Sequence, residues 1–446
     1  MRELRLPSGL SRADVIARER AHVWPPYTSS ERHEQHEPLV IVEAEGSFVV
    51  DADGRRYVDA VSSWWTATLG HRHPRLVRVL TAQASILPHV AAGGITHAPV
   101  ALLAEELAAI APKGLVRTHF SDDGSTAVEV AVKIAFQYWQ QNGRPARHRF
   151  LCLSGAYHGD TLGAASLASL EEFSGVFAPL LFEVVHAPAP TEQQGWDRVT
   201  AFIEATLRER ADDIAGVIVE PLIQGASGMR MHTPEVLRRI HDACKAIDTF
   251  FIADEVFTGY GRTGRMWACD HAGITPDLLC LAKGFTAGIL PMGATMATAR
   301  VYDGFRGGPA RALMHGHSFC GHALGAAVAR EVLAIHRDER IVEGVAPRAR
   351  AIEAALSTIG ALEGVRSTRA LGIVGAVDLG DVGYGGTGVG HRVAEAMRGR
   401  GVFVRPLGDT VYVCPPLNIP LDVLDMTLAA LEESIREVAS DARAGF

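Results

Sequence analysis

Three charged side chains close apolar runs in the middle of the chain: Glu220 after VIV, Asp254 after FIA and Lys283 after LCLA. Short apolar runs of this kind read as buried strands, and in an open parallel sheet ligands bind beyond the carboxyl ends of the strands. Glu220, Asp254 and Lys283 are therefore expected to converge on one cleft. A lysine and an acid at neighbouring strand ends suit pyridoxal phosphate (PLP). The lysine amine carries the cofactor as a Schiff base, and the acid pairs with the protonated pyridine nitrogen and keeps the ring an electron sink. A buried ion pair without chemistry is the other reading of the same residues.

Two further segments follow apolar runs. In SDDGSTAVEVAVKIA, residues 121–135, a strand runs into Gly124 and Ser125 and then a helix. Glycine permits close backbone approach, and free N–H groups at a helix start attract an anion such as a phosphate. An ordinary serine N-cap has the same appearance. The segment lacks the glycine spacing of a dinucleotide fingerprint or a Walker loop. In GAYHGDT, residues 155–161, Tyr157 is placed to lie against a flat ring, although an isolated aromatic is more often core.

The elements that must position these residues follow from the pattern of the chain. Residues 37–61 predict a small antiparallel unit with Asp53-Gly54 at a hairpin turn. From 75 to 330, short apolar runs alternate with helical stretches such as STAVEVAVKIAFQYWQQ and PEVLRRIHDACKAI. That alternation predicts a largely parallel sheet covered on both faces. From 331 to 446, helical runs surround shorter strands, including VFVRPL and VYVCPP, and read as a smaller α+β domain. The expected division is 1–74, 75–330 and 331–446.

Composition narrows the class. The chain has 446 residues, 48% hydrophobic and 21% charged, which suits an ordinary globular protein of two interleaved domains. A net charge of −8 gives no polybasic footprint, so nucleic acid is not an expected partner. The first residues are polar and lack a signal peptide's apolar core, and no run approaches the roughly 18 apolar residues of a membrane helix. The six cysteines are scattered without a CxxC pair, which points to free thiols in a reducing cytoplasm; no metal is expected.

Taken in order, SDDGSTAVEVAVKIA, AYHGDT, VIVEP, FIADEVFTGYGRTG and LAKG resemble the class-III (ω-type) aminotransferases over nearly the whole chain. The resemblance implies a fold-type-I α/β enzyme. It would have a large seven-stranded cofactor domain, a small domain built from both termini, and a homodimer with active sites at the interface. It implies that Lys283 is the Schiff-base lysine and Asp254 the pyridine partner, with Val256 under the ring and Tyr157 on its other face. Gly124 and Ser125 would hold the phosphate, and Glu220 would border the cofactor.

HVWPPYTS, SSWWTATLGHRHP, QYWQ, EPLIQGASGMRM and MHGHSF look like one branch of that family, the 7,8-diaminononanoate synthases of biotin biosynthesis. These move an amino group to 8-amino-7-oxononanoate (KAPA). In that branch Tyr27, Trp64 and Trp65 would line the substrate pocket, with Gly316 beside it, and Arg405 would grip the KAPA carboxylate near Tyr412. A long apolar chain needs aromatic walls, and a terminal carboxylate needs a fixed forked cation. Where the commoner family pattern is HGPTF, this chain reads His315-Gly316-His317-Ser318-Phe319. His317 and Ser318 are expected at the cofactor, Ser318 reaching the partner subunit's phosphate. HGHSF and RPLGD resemble a branch that takes its amino group from lysine, whereas SSWW and PYTS look like users of S-adenosylmethionine. The expected reaction is a ping-pong transamination in which Lys283 is both anchor and proton shuttle. Another ω-aminotransferase, acting on ornithine, 4-aminobutyrate, β-alanine or a diamine, would share every cofactor residue.

Overall fold

The computed structural model describes residues 6, 7, 9–170, 175–191, 193–382 and 387–444. Near the start, strands β1 (Ile41–Glu45), β2 (Phe48–Asp51) and β3 (Arg56–Asp59) form an antiparallel meander. Its β2–β3 turn holds Gly54 at a φ of 81°, which explains the Asp-Gly pair. The Asp51 carboxylate fixes that turn by accepting from the backbone N–H groups of Asp53 and Arg55.

The centre is a seven-stranded sheet of β4 (Leu115–Ser121), β5 (Arg149–Cys152), β6 (Val184–His186), β7 (Ile214–Val219), β8 (Phe250–Asp254), β9 (Leu278–Leu281) and β10 (Gly293–Thr298). Their spatial order is β4-β10-β9-β8-β7-β5-β6. Only β10 runs against its neighbours. Strands β7, β8 and β9 are buried at every residue, as expected of strands covered on both faces. The chain therefore has the α/β arrangement, a largely parallel sheet, that the alternating pattern called for. The short β6 was not foreseen.

Toward the other end lie β11 (Ser367–Leu371), β12 (Val374–Val382), β13 (Val402–Phe403) and β14 (Gly408–Val413). Strands β11, β12 and β14 make an antiparallel sheet, while β13 pairs in parallel with β3. Segments more than 340 residues apart thus share one sheet. The expected division between 330 and 331 lies within the helix Ala323–Asp338. One expectation needs correction: VFVRPL is not one strand, because β13 stops at Phe403 and leaves Arg405 in an irregular stretch. Pro406 has no N–H for a ladder and holds Arg405 extended, so pairing ends before it.

Candidate active site

Five carboxyl-terminal strand ends open onto one cavity of about 730 Å³. Strand β4 delivers Asp122 to Ser125, β5 delivers Tyr157 to Thr161, β7 delivers Glu220, β8 delivers Asp254 and Val256, and β9 delivers Lys283. Trp65, Thr66 and Phe257 complete the wall nearest the lysine. The three charged residues that the strand-end argument singled out are brought together.

Asp254 is buried and has a partner on each oxygen. His158 Nδ1 donates to Oδ2 at 2.6 Å, and the Val256 N–H donates to Oδ1 at 3.1 Å. Glu220 is buried as well. It accepts from the Tyr157 N–H at 3.1 Å and from the Gly225 N–H at 3.0 Å. Burial, reinforced by the Asp254 charge, pushes its pKa up to about 7 against the opposing pull of His158. The Lys283 amine lies 5.0 Å from the Trp65 ring centroid and 6.0 Å from that of Phe257. Loss of water lowers its pKa, while Asp254 and Glu220 work the other way.

At one end of the cavity, the helix Gly124–Gln141 points its N-terminus inward, capped by Asp123, whose Oδ1 accepts from the Thr126 N–H at 2.8 Å. Gly124 is required there, since a Cβ would come within 2.6 Å of Val256 Cγ1. Ser125 Oγ accepts from the Thr161 N–H at 3.0 Å and lies 2.7 Å from Thr161 Oγ1, which ties the β4 and β5 loops together. Gly159, at a φ of 125°, has no room for a side chain against Ser125. The result is a backbone-lined, N–H-rich cradle at one end, a carboxylate deep in the cavity and a lysine between aromatic rings. Those features fit a flat cofactor carrying a phosphate and a protonatable ring nitrogen.

Tyr27, Trp64 and Arg405 are not on the cavity lining but stand beside it, joined to it through Tyr157 and Asp160. Asp160 Oδ2 accepts from the Tyr157 hydroxyl at 2.8 Å and from the Tyr27 hydroxyl, and the two hydroxyls lie 3.1 Å apart. Burial, then the bond to Asp160, pushes the Tyr27 pKa up to about 12; burial also raises that of Tyr157. The Trp64 ring meets Tyr27 edge-on at 5.7 Å, and the Arg405 guanidinium sits 4.1 Å above its centroid.

Trp64 and Trp65 belong to a turn, Ser62–Trp65, in which four consecutive non-glycine residues have positive φ: 49°, 46°, 62° and 73°. Each left-handed L-residue costs about 1–2 kcal/mol, so the turn stores roughly 4–8 kcal/mol. It turns Trp64 outward, 38% exposed, and Trp65 inward, 4% exposed. Trp65 Nε1 donates to the Tyr412 hydroxyl at 3.1 Å. Tyr412 is buried against Trp65. Gly316, His317 and Ser318 are not on this chain's cavity wall. His317 lies 3.3 Å from Asp122, and Ser318 is exposed.

His158, Asp160, Thr161 and Phe257 were not singled out from the sequence. All four stand within motifs that were quoted, so proximity to Tyr157 and Asp254 was the available signal. Arg262, also within a quoted motif, is fully buried without a carboxylate partner among the described residues.

Comparison with known proteins agrees with this geometry. The class-III aminotransferase family model matches residues 29–435. The chain is 41% identical to the adenosylmethionine-8-amino-7-oxononanoate aminotransferase of Geobacter sulfurreducens, over 94% of this chain and 97% of that protein. It is also 41% identical to the protein of the same name from Synechococcus elongatus, over 94% and 99%. The crystal structure of the Methanocaldococcus jannaschii protein of that name superposes with a TM-score of 0.92, at 34% identity, covering 96% of this chain and 99% of the other. A PLP-bound amine transaminase from an uncultivated Pseudomonas species superposes with a TM-score of 0.88, at 32% identity, over 94% and 99%.

Proposed function

The chain belongs to the class-III aminotransferases and is a PLP-dependent enzyme, and on that premise we propose that it transfers an amino group to KAPA to give 7,8-diaminononanoate in biotin biosynthesis. The observation that carries the acceptor is the cluster beside Tyr157 and Asp160, where the Trp64 ring meets both Tyr27 and the Arg405 guanidinium. Together they offer apolar walls and one forked cation to a chain that ends in a carboxylate. The names of the relatives point the same way.

Bound PLP supplies an electron-withdrawing ring that stabilises charge at the carbon bearing the amine and stores the amino group between half-reactions. Lys283 would anchor the cofactor, and its amine, kept below the ordinary lysine range by burial, would take up and release the migrating proton at Nζ. Asp254 would provide the carboxylate for the ring nitrogen, with His158 and the Val256 N–H holding that carboxylate still. Val256, Tyr157 and Glu220 would hold the ring, and Gly124 and Ser125 the phosphate at the helix start.

The working unit in this reading is a cytoplasmic homodimer, in which Ser318 and His317 serve the partner subunit's cofactor and Gly316 borders its substrate. No helix among the described residues is long and apolar enough to cross a membrane. S-adenosylmethionine is the proposed amino donor, after the names of the relatives. Lysine is the second reading, carried by the HGHSF and RPLGD sequences. A donor screen with KAPA as acceptor separates the two. Turnover of ornithine, 4-aminobutyrate, β-alanine or a diamine with no KAPA amination would overturn the acceptor.

A further inference from the structure

The N-terminal segment reaches the site through Tyr27, and local backbone preference does not hold that residue in place. Tyr27 has a φ of 51°, a left-handed conformation that an L-residue resists, between Pro25-Pro26 and the helix Ser30–Gln35. Contacts with the rest of the chain must hold it. One set is made by Tyr27 itself, with Asp160, Tyr157 and Trp64. Another is made five residues on, by Arg32. Its guanidinium meets the imidazole of His391, with Nη1 3.2 Å from Nε2 and Nη2 3.2 Å from Nδ1. His391 lies at the start of the helix Val389–Gly399. Asp409, from the RPLGD sequence, fixes the approach to that helix by accepting from the Thr387 N–H at 2.6 Å and from the Thr387 hydroxyl at 3.0 Å. Arg32 thus docks the segment that carries Tyr27 onto the part of the chain that carries Arg405.

The contact works in one protonation state only. A guanidinium donates and never accepts, and it stays charged. A neutral imidazole has one lone pair to offer it; an imidazolium has none and repels it. Around His391, Arg32 and His36 of the N-terminal segment stand against Glu395 on its own helix and Asp409 on β14. Burial, then the Arg32 charge, lowers the His391 pKa. Undocking takes Arg32 away and lets it rise. Docking therefore releases a proton, and it weakens as pH falls below about 6.5, the ordinary histidine value. The contact of His33 with Glu19 at 2.6 Å, which joins the two N-terminal helices, survives protonation and does not share this sensitivity.

We propose that Arg32 and His391 are positioning residues that form a pH-dependent latch: neutral His391 docks the N-terminal segment and so holds Tyr27 in place for the acceptor, and protonated His391 releases it. The effect on the acceptor rests on the assignment of Tyr27 to the substrate pocket. It is not confined to one half-reaction, because Tyr27 also meets Tyr157, which lines the cofactor cavity.

The test uses the PLP-loaded enzyme and three substitutions. His391→Gln keeps an acceptor oxygen for Arg32 but cannot titrate. His391→Leu removes the acceptor, and Arg32→Ala removes the donor. Hydrogen-exchange protection is read in a peptide covering residues 23–36 between pH 5.5 and 8, with each rate divided by that of the unstructured peptide at the same pH. KM for KAPA is read over the same range and compared between variant and parent at each pH, because the substrate's own groups titrate. In the parent, protection should fall at least fivefold from pH 8 to pH 5.5. In His391→Gln it should stay within twofold, and the KM of this variant at pH 5.5 should be at least threefold below the parent's. His391→Leu and Arg32→Ala should both be poorly protected at pH 8 and lose little more on acidification. The double variant should be no worse than either single one, since each removes the same contact. Either single variant carries the test if the other does not fold. Protection in the parent that ignores pH, a full acid loss in His391→Gln, or additive losses in the double variant would overturn the latch. If protection responds as expected but KM for KAPA does not follow it, the latch stands and the assignment of Tyr27 to the acceptor falls.

Discussion

Arg405→Ala isolates the residue that distinguishes a carboxylate-terminated acceptor from the other ω-amino substrates. In the free protein its guanidinium lies 4.1 Å above the Trp64 ring, partly buried. A cation over an aromatic face at a partly exposed site gains about 0.5–1 kcal/mol. A charge-assisted bond from a guanidinium to a carboxylate contributes about 1.5–3 kcal/mol. If the acceptor carboxylate draws the guanidinium away from Trp64, the ring contact is given up on binding and offsets part of the gain. The net loss on removing Arg405 is then about 0.5–2.5 kcal/mol, a roughly 2- to 60-fold rise in KM for KAPA at 1.4 kcal/mol per decade.

Rapid mixing that follows each half-reaction separately is the assay. The KAPA half should carry the whole effect, and the half that uses S-adenosylmethionine should change less than twofold. Arg405→Lys, which keeps a charge without the fork, should fall between the parent and Arg405→Ala. Equal small losses in both halves would mean that Arg405 merely braces Trp64, and would remove the main reason for preferring KAPA. A loss near 140-fold, the full 3 kcal/mol or so of the charged bond, would show that the ring contact does not compete with the substrate.

Lys283→Ala should abolish turnover, and borohydride should fix PLP to the parent but leave no label on the peptide around residue 283 of the variant; normal turnover would identify another lysine as the anchor. Asp254→Asn should retain PLP yet lower single-turnover rates by about 10²–10³, the scale for a preorganised electrostatic group, whereas parent-like rates would remove Asp254 from the ring nitrogen. Ser318→Ala should weaken PLP retention, and mixing it with Lys283→Ala should give activity only in the pattern of a hydroxyl donated across the dimer; a same-subunit pattern would count against that role. Glu220 has a folded pKa of about 7, above its ordinary 4.5, so the native state keeps a proton that the unfolded chain has released and stability falls as pH rises between those values. Glu220→Gln should flatten the decline in urea stability of the cofactor-free protein from pH 5 to 7, by up to about 1.4 kcal/mol per pH unit. Glu255, raised in the same way by burial, adds a slope of the same sign, and an unchanged slope would show that Glu220 is already ionised.

What could be read from the sequence was whatever depended on neighbours along the chain. Strands β7, β8 and β9 are uninterrupted apolar runs, so their positions, and the charged residue just past or at each carboxyl end, followed directly. Strand β6 escaped because it is only three residues long and stands between prolines. Arg405 was placed on a strand because VFV is apolar and β-branched, yet Pro406 ends the pairing two residues earlier than that pattern implies. Tyr412 was expected near Arg405; its bond from Trp65 Nε1 spans 347 residues and has no signal in the local pattern.

The turn that carries Trp64 and Trp65 was the least legible part, for a physical reason. Local preference disfavours Ser-Ser-Trp-Trp in a left-handed turn. Nearby bonds help hold it, with Ser63 Oγ donating to Asp59 and Thr66 Oγ1 to the Ser63 carbonyl, and two more come from Arg262 and Cys414, 197 and 352 residues away. The tryptophans could be recognised as pocket residues by resemblance, but their opposite facing is a consequence of long-range packing. A variant carrying the same SSWW motif with Arg262 or the Tyr412–Pro415 segment altered should therefore keep the signature and lose the geometry. Motif matching alone would still assign it the same acceptor, and the hydrogen-exchange rate of a peptide covering residues 61–70 would reveal that it no longer has the site.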